Sequence, residues 1–159
     1  MTCAEKTVVF GTLGNDIREI DLRKVSLHGF STGEVFTIHG AHNDFVTRVA
    51  SKGHIIASAG GSFDGTVKLW NDIGQKMFSD INLNGHVNSL QFLGSDIFAA
   101  TASEASIFSL NEDEWVRSPL VEPSSGTIEF AKLSDDKDPL LAMLNVSAKE
   151  PNFSFYNVL

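Results

Sequence analysis

Cysteine is almost missing from this 159-residue chain: Cys3 alone excludes an intramolecular disulfide and any zinc site built on paired-cysteine spacing. A reducing compartment suits such a chain, so a cytoplasmic or nuclear location is expected. Basic residues are also scarce, 12 Lys and Arg against 20 Asp and Glu, giving a formal charge of −8. Broad binding to phosphate backbones or anionic lipid needs clustered Lys and Arg. Nucleic acid and membrane are therefore not expected as partners, whereas proteins with basic surfaces are. No apolar run approaches the roughly 20 residues of a membrane span. Met1 to Lys6 lacks the charged-then-apolar pattern of a signal peptide, so the expectation is a soluble, unsecreted chain. Asn145-Val146-Ser147 and Asn152-Phe153-Ser154 are then chance matches to glycosylation sequons, each in a predicted strand.

Catalytic signatures are lacking as well. There is no GxSxG elbow, HExxH pair, Walker loop or GxGxxG. No pair of His, Cys or carboxylates falls at ligand spacing on one predicted element. Five histidines without clustering do not make a hydrolase, so no catalytic, cofactor or metal site is predicted and a non-enzyme is favoured over a hydrolase. Trp115 and Phe155 have no interleaved basic residues for base stacking and are assigned to core or rim packing. What is plentiful points to an ordinary globular domain, with 42% hydrophobic and 20% charged residues. Thirteen glycines and twelve phenylalanines, with many Val, Ile, Ser and Thr, favour short strands joined by tight turns. The fold class is all-β.

A repeat runs through the chain. Gly85-His86-Val87-Asn88-Ser89-Leu90 echoes Ala41-His42-Asn43-Asp44-Phe45-Val46, with the histidines 44 residues apart. That lies within the about 40–45 residues of a four-stranded propeller blade. Between them, Ile55 to Gly60 and Thr66 to Asp72 form two apolar strands joined by a turn whose Asp64-Gly65 suits positive φ. This stretch resembles the WD-repeat family, in which a repeat opens with Gly-His and its third strand ends in Trp-Asp, here Trp70-Asn71. The resemblance implies a buried structural tetrad of His42, Ser58, Asp64 and Trp70. An acidic turn residue fixes the imidazole, the imidazole binds the serine hydroxyl, and the indole N–H completes the network. A β-sandwich of similar strand number would leave the Gly-His to Trp period unexplained.

Weaker echoes extend the pattern. Val8 to Arg23 has the strand-turn-strand form with Ile20-Asp21 in place of Trp-Asp, and Ile97 to Leu110 keeps two strands but lacks Asp-Gly and Trp, so no polar tetrad is expected there. Naming each blade's strands a to d from the axis outward gives b–d in 6–40, a–d in 42–83 and 86–121, and a–c in 127–159. That is about fourteen strands, roughly three and a half blades, where closed rings have about 4–8. The expectation is a single propeller segment resembling the C-terminal half of a ring, completed by a second copy or a second propeller half.

The resemblance implies a non-catalytic scaffold for protein–protein interaction within a multi-subunit complex. Its usual binding face, formed by the d–a and b–c loops, would carry Asp16, Asn43, Asp44, Ser62, Phe63, His86, Ser103 and Glu104. Phe63, at the tip of a long b–c loop, is either an interaction anchor or local packing. The acidic runs Glu112-Asp113-Glu114 and Asp135-Asp136-Lys137-Asp138 fall in loops of the opposite face. Ile20-Asp21-Leu22-Arg23 is similar to the Trp-Asp-x-Arg ending that joins some WD-repeat proteins to a cullin ligase adaptor. A substrate receptor or adaptor of a cullin-type ubiquitin ligase is therefore the alternative.

Overall fold

A computed structural model describes residues 2–4, 7–25, 32–121, 127–134, 140–146 and 151–157. The acidic run at 135–138 lies outside them. The described residues form fifteen strands in four antiparallel sheets. The first contains β1 (Thr2–Ala4), β2 (Thr7–Gly11), β3 (Ile17–Asp21) and β4 (Glu34–Ile38). The second contains β5 (Val46–Lys52), β6 (Ile55–Gly60), β7 (Thr66–Asn71) and β8 (Ile81–Asn82). The third runs β9 (Val87–Leu93), β10 (Asp96–Thr101), β11 (Ala105–Asn111) and β12 (Glu114–Val121). The fourth has β13 (Thr127–Leu133), β14 (Leu140–Val146) and β15 (Pro151–Asn157). In each sheet, strands consecutive in sequence are neighbours in space. Among the described residues no helix is long and apolar enough to cross a membrane.

One strand not assigned from the sequence precedes the three, β2 to β4, that lie within residues 6–40. Thr2, Cys3 and Ala4 pair with Val9, Val8 and Thr7, so the first sheet has four strands. Three residues are too few to show the alternation by which a strand is recognised in sequence.

The second strand of each of the middle sheets is the most buried. In β6, Ile56 to Gly60 are all buried, and in β10, Ile97 to Thr101 are. A strand flanked on both faces by neighbouring sheets reads as a continuous apolar run, not as an alternation. Three cores lie between successive sheets. Val9, Ile17, Ile38, Val49, Ile56 and Trp70 join the first to the second. Ala57, Val67, Leu69, Val87, Ile97 and Phe108 join the second to the third. Phe98, Ala100, Ala105, Ile128 and Ala131 join the third to the fourth. Each fully buried Val, Ile or Phe contributes about 1.5–3 kcal/mol of transfer free energy.

Side chains on the innermost strands also reach across to the next sheet's backbone. Arg48 Nε donates to Asn88 O at 2.7 Å, and Lys52 Nζ to Gly94 O at 2.5 Å. Asn88 Nδ2 donates to Ile128 O, and Ser89 Oγ accepts from Ala131 N at 2.8 Å. The β6–β7 turn depends on Gly65, whose φ is +61° and whose Cβ would lie 2.8 Å from Leu83 O. A side chain there meets both a disfavoured conformation and fixed backbone.

Candidate functional site

The second sheet brings His42, Ser58, Asp64 and Trp70 into one hydrogen-bonded chain. Trp70 Nε1 donates to Ser58 Oγ at 2.8 Å. Ser58 Oγ lies 2.7 Å from His42 Nε2, and His42 Nδ1 lies 3.0 Å from Asp64 Oδ1. The indole can only donate and the carboxylate can only accept, which fixes every proton between them. Ser58 gives its hydroxyl proton to Nε2, and Nδ1–H points at Asp64. Asp64 also accepts from Asn43 N at 2.6 Å, from Thr66 N at 3.0 Å and from the Thr66 hydroxyl. Burial pushes this carboxyl upward, but the hydrogen bonds from Thr66, Asn43 and His42 outweigh it and hold it at about 2. Burial lowers the His42 pKa despite the opposing pull of Asp64, so the ring is neutral at pH 7.

Serine, histidine and aspartate at these distances match the order of a hydrolytic triad. Their surroundings do not. Ser58 is fully buried, the side chains of His42 and Asp64 have no exposure, and the Ser58 oxygen already accepts the indole proton. A nucleophile needs an approach path and a site for the reacting carbonyl, and these residues have neither. Their chemistry is that of a satisfied structural network. Among the described residues no group of three or more His, Cys, Asp or Glu is arranged to hold a metal.

The loops beside the tetrad, on the face formed by d–a and b–c connections, are tied down by aspartates. Asp16 Oδ1 accepts Gly40 N at 3.0 Å and Asp16 Oδ2 lies 3.3 Å from His39 Nδ1; the Gly40 bond is the main reason its pKa is lowered. Asp44 accepts from Phe45 N at 2.8 Å and from Phe63 N at 3.1 Å. Asn43 and Ser62 are exposed. His86 is half-buried with its ring 5.8 Å from that of Phe45. Ser103 is exposed, but Glu104 is not, and its place on the exposed face is corrected here: it is 7% exposed and bonded to the Arg117 guanidinium.

The loop that carries Phe63 is closed by its own backbone, with Asp64 N and Gly65 N both bonding Gly61 O at 3.1 and 2.8 Å. Asp44 clamps the tip from the neighbouring loop, and the Phe63 ring projects outward with 94% exposure. Local packing of this ring is thereby ruled out. Leu13, at the b–c turn of the first sheet, is 88% exposed on the same face. Sequence reasoning passed over it because a single apolar turn residue carries no periodic signal.

Sequence reasoning also missed a polar network in the third sheet. Arg117 on β12 donates through Nε to Ser106 Oγ at 3.0 Å and through Nη2 to Glu104, joining two buried groups where no polar network was expected. In the first sheet Asp21 is buried and Arg23 binds it through the backbone N–H, Nε and Nη2 at 2.9, 2.8 and 2.6 Å. The Arg23 hydrogen bonds hold the Asp21 carboxyl at about 2.

Residues 33–71, which span β4 to β7, match the family model described as WD domain, G-beta repeat. No curated protein sequence matches the chain. Among solved structures, the chain is similar to one in the crystal structure of a mitotic checkpoint complex, with a TM-score of 0.72 and 21% identity over 96% of this chain and 46% of that one. It is also similar to the WD40 β-propeller domain of Doa1, with a TM-score of 0.70 and 16% identity over 98% of this chain and 48% of that one. The chain thus spans about half the length of each structure it matches. At these identities the likeness establishes the fold.

Proposed function

Given a WD-repeat β-propeller fold in four sheets, with the family model matching β4 to β7, we propose that this chain is a non-catalytic scaffold that holds other proteins within a multi-subunit complex. The observation that carries this reading is Phe63, a large aromatic held outside the protein by hydrogen bonds to its own loop's backbone. Single exposed apolar residues are common on surfaces. Two on equivalent turns of adjacent sheets, Phe63 and Leu13, one of them rigidly clamped, suit the anchor residues of an interface. Asn43 and Ser62 supply polar groups nearby for its rim. A cytoplasmic or nuclear location is part of the proposal, supported by the single cysteine.

The test is quantitative mass spectrometry of proteins that co-purify with the wild-type chain, Phe63→Ala and Leu13→Asp from its own cells. A defined subset should fall about thirtyfold or more in both variants, the scale of an anchor worth about 2 kcal/mol. An unchanged set of co-purifying proteins in both variants would count against this face as the binding surface. The ligase-receptor alternative gains nothing from Arg23, whose guanidinium is committed to Asp21.

Ring completion belongs to the same proposal. Propellers close with about 4–8 blades, and the matched structures are about twice as long as this chain. Light scattering that gives twice the 17.3 kDa chain mass supports completion by a second copy; a monomer that gains mass only with another propeller half supports a hetero-partner.

A further inference from the structure

On the face opposite Phe63, the first and second sheets part to leave a cleft of about 210 Å³. Its lining combines Thr7, Val9 and Glu19 with Ser51, His54, Ile56 and Asp72. At roughly 30 Å³ per water it holds about seven waters. That is below the about 300–1,000 Å³ of small-molecule and cofactor sites, yet ample for one long side chain.

The lining selects among side chains. Val9 and Ile56, 2% and 4% exposed, form an apolar floor. Above them Glu19 is half-buried, and its carboxylate has no hydrogen-bond or ion-pair partner among the described residues. At the rim Asp72 is paired with His54, Oδ2 to Nδ1 at 2.9 Å. Four described cations are engaged elsewhere, among them Lys76, 2.5 Å from Asp80. Arg23 and Lys24 lie 2.6 and 4.0 Å from Asp21, and Lys52 donates to Gly94 O of the third sheet. A carboxylate without a partner among the described residues, over an apolar floor, suits a group with a hydrocarbon stem and a positive head. The net charge of −8 draws such groups toward the chain.

We propose that this cleft is a second docking point, which takes one lysine or arginine side chain from a partner protein, with Glu19 as the charge partner and Val9 and Ile56 as the seat for its stem. It rests on the scaffold reading only in that the ligand belongs to a protein. Its test uses neither Phe63 nor an intact partner.

Methyl NMR spectra of the full chain, titrated with Nα-acetyl-lysine methylamide, Nα-acetyl-arginine methylamide and Nα-acetyl-norleucine methylamide, decide the matter. The lysine or arginine probe should shift the Val9 and Ile56 methyl signals saturably, and the two titrations show which head is preferred. The norleucine probe, with a similar stem and no charge, should bind at least tenfold more weakly. Glu19→Gln should weaken the cationic probes about tenfold and leave norleucine unchanged, while Phe63→Ala changes none of them. Asp72→Asn, at an exposed position, provides a second variant if Glu19→Gln unfolds, and should weaken the cationic probes by a smaller factor. The proposal is overturned by the absence of a saturable shift, by equal binding of norleucine, or by cationic binding that both charge variants leave intact.

Discussion

Replacing Ser58 with alanine removes one oxygen atom and strands two buried partners. Trp70 Nε1 loses its acceptor and His42 Nε2 loses its donor, at 2.8 and 2.7 Å respectively. The volume change is small, so the cavity contribution is minor. The unpaired groups set the magnitude. A buried donor or acceptor left without a partner costs about 1–3 kcal/mol, so the two together cost about 2–6 kcal/mol. Against a typical domain stability of about 5–15 kcal/mol this is a large fraction. Urea unfolding near neutral pH, followed by far-UV circular dichroism, should show a lower midpoint at an unchanged m-value. Ser62→Ala, at an exposed position, should stay within about 0.5 kcal/mol of wild type. A cycle with Trp70→Phe should return a coupling of about 0.5–3 kcal/mol, because the two residues share one bond. If Ser58→Ala unfolds at the same urea concentration as Ser62→Ala, the network adds nothing to stability and this reasoning is refuted.

Acid should weaken the fold through the same network. Asp64, held at about 2 against an ordinary 3.8, contributes about 2 kcal/mol that is present above pH 3.8 and lost as the pH falls toward 2. His42, lowered from 6.5 by burial, adds stability that is complete above pH 6.5 and declines as the pH drops through its folded value. Asp64→Asn should flatten the acid limb of stability against pH; a limb as steep as in wild type would show that other groups carry it. Arg117→Ala leaves the buried Glu104 without its guanidinium and should cost about 3 kcal/mol in urea unfolding, with Glu104→Gln added in the same chain restoring most of it. Phe98→Ala empties a fully buried site between the third and fourth sheets and should cost about 3–5 kcal/mol by the same assay. Phe63→Ala should leave the unfolding free energy from urea titration within about 0.5 kcal/mol of wild type while it weakens partner capture.

The strands and their grouping were legible wherever the chain repeated a signal. His42 is echoed by His86 44 residues on, and the Asp64-Gly65 turn and Trp70 fall at the family's offsets from it because one turn must aim a carboxylate at an imidazole one loop away. Signals without a period were invisible. Thr2 to Ala4 are too few to alternate, yet they pair along the inner edge of the first sheet. Glu104 looked like a loop acid because its neighbour Ser103 is polar, but its partner Arg117 lies 13 residues onward, on another strand. Only the β11–β12 register, Phe108 opposite Arg117, brings the two together. The direction of the Phe63 ring was left open for a similar reason, since it depends on an Asp44 clamp from a different loop.

That clamp has a consequence for how such a protein changes its clientele. Asp44 holds the tip through the main-chain N–H of residue 63, and the ring itself takes no part in the bonding. Any residue other than proline keeps that N–H. The loop shape is therefore indifferent to the letter at its apex, and one codon can rewrite what the apex recognises while the tetrad beneath it stays unaltered.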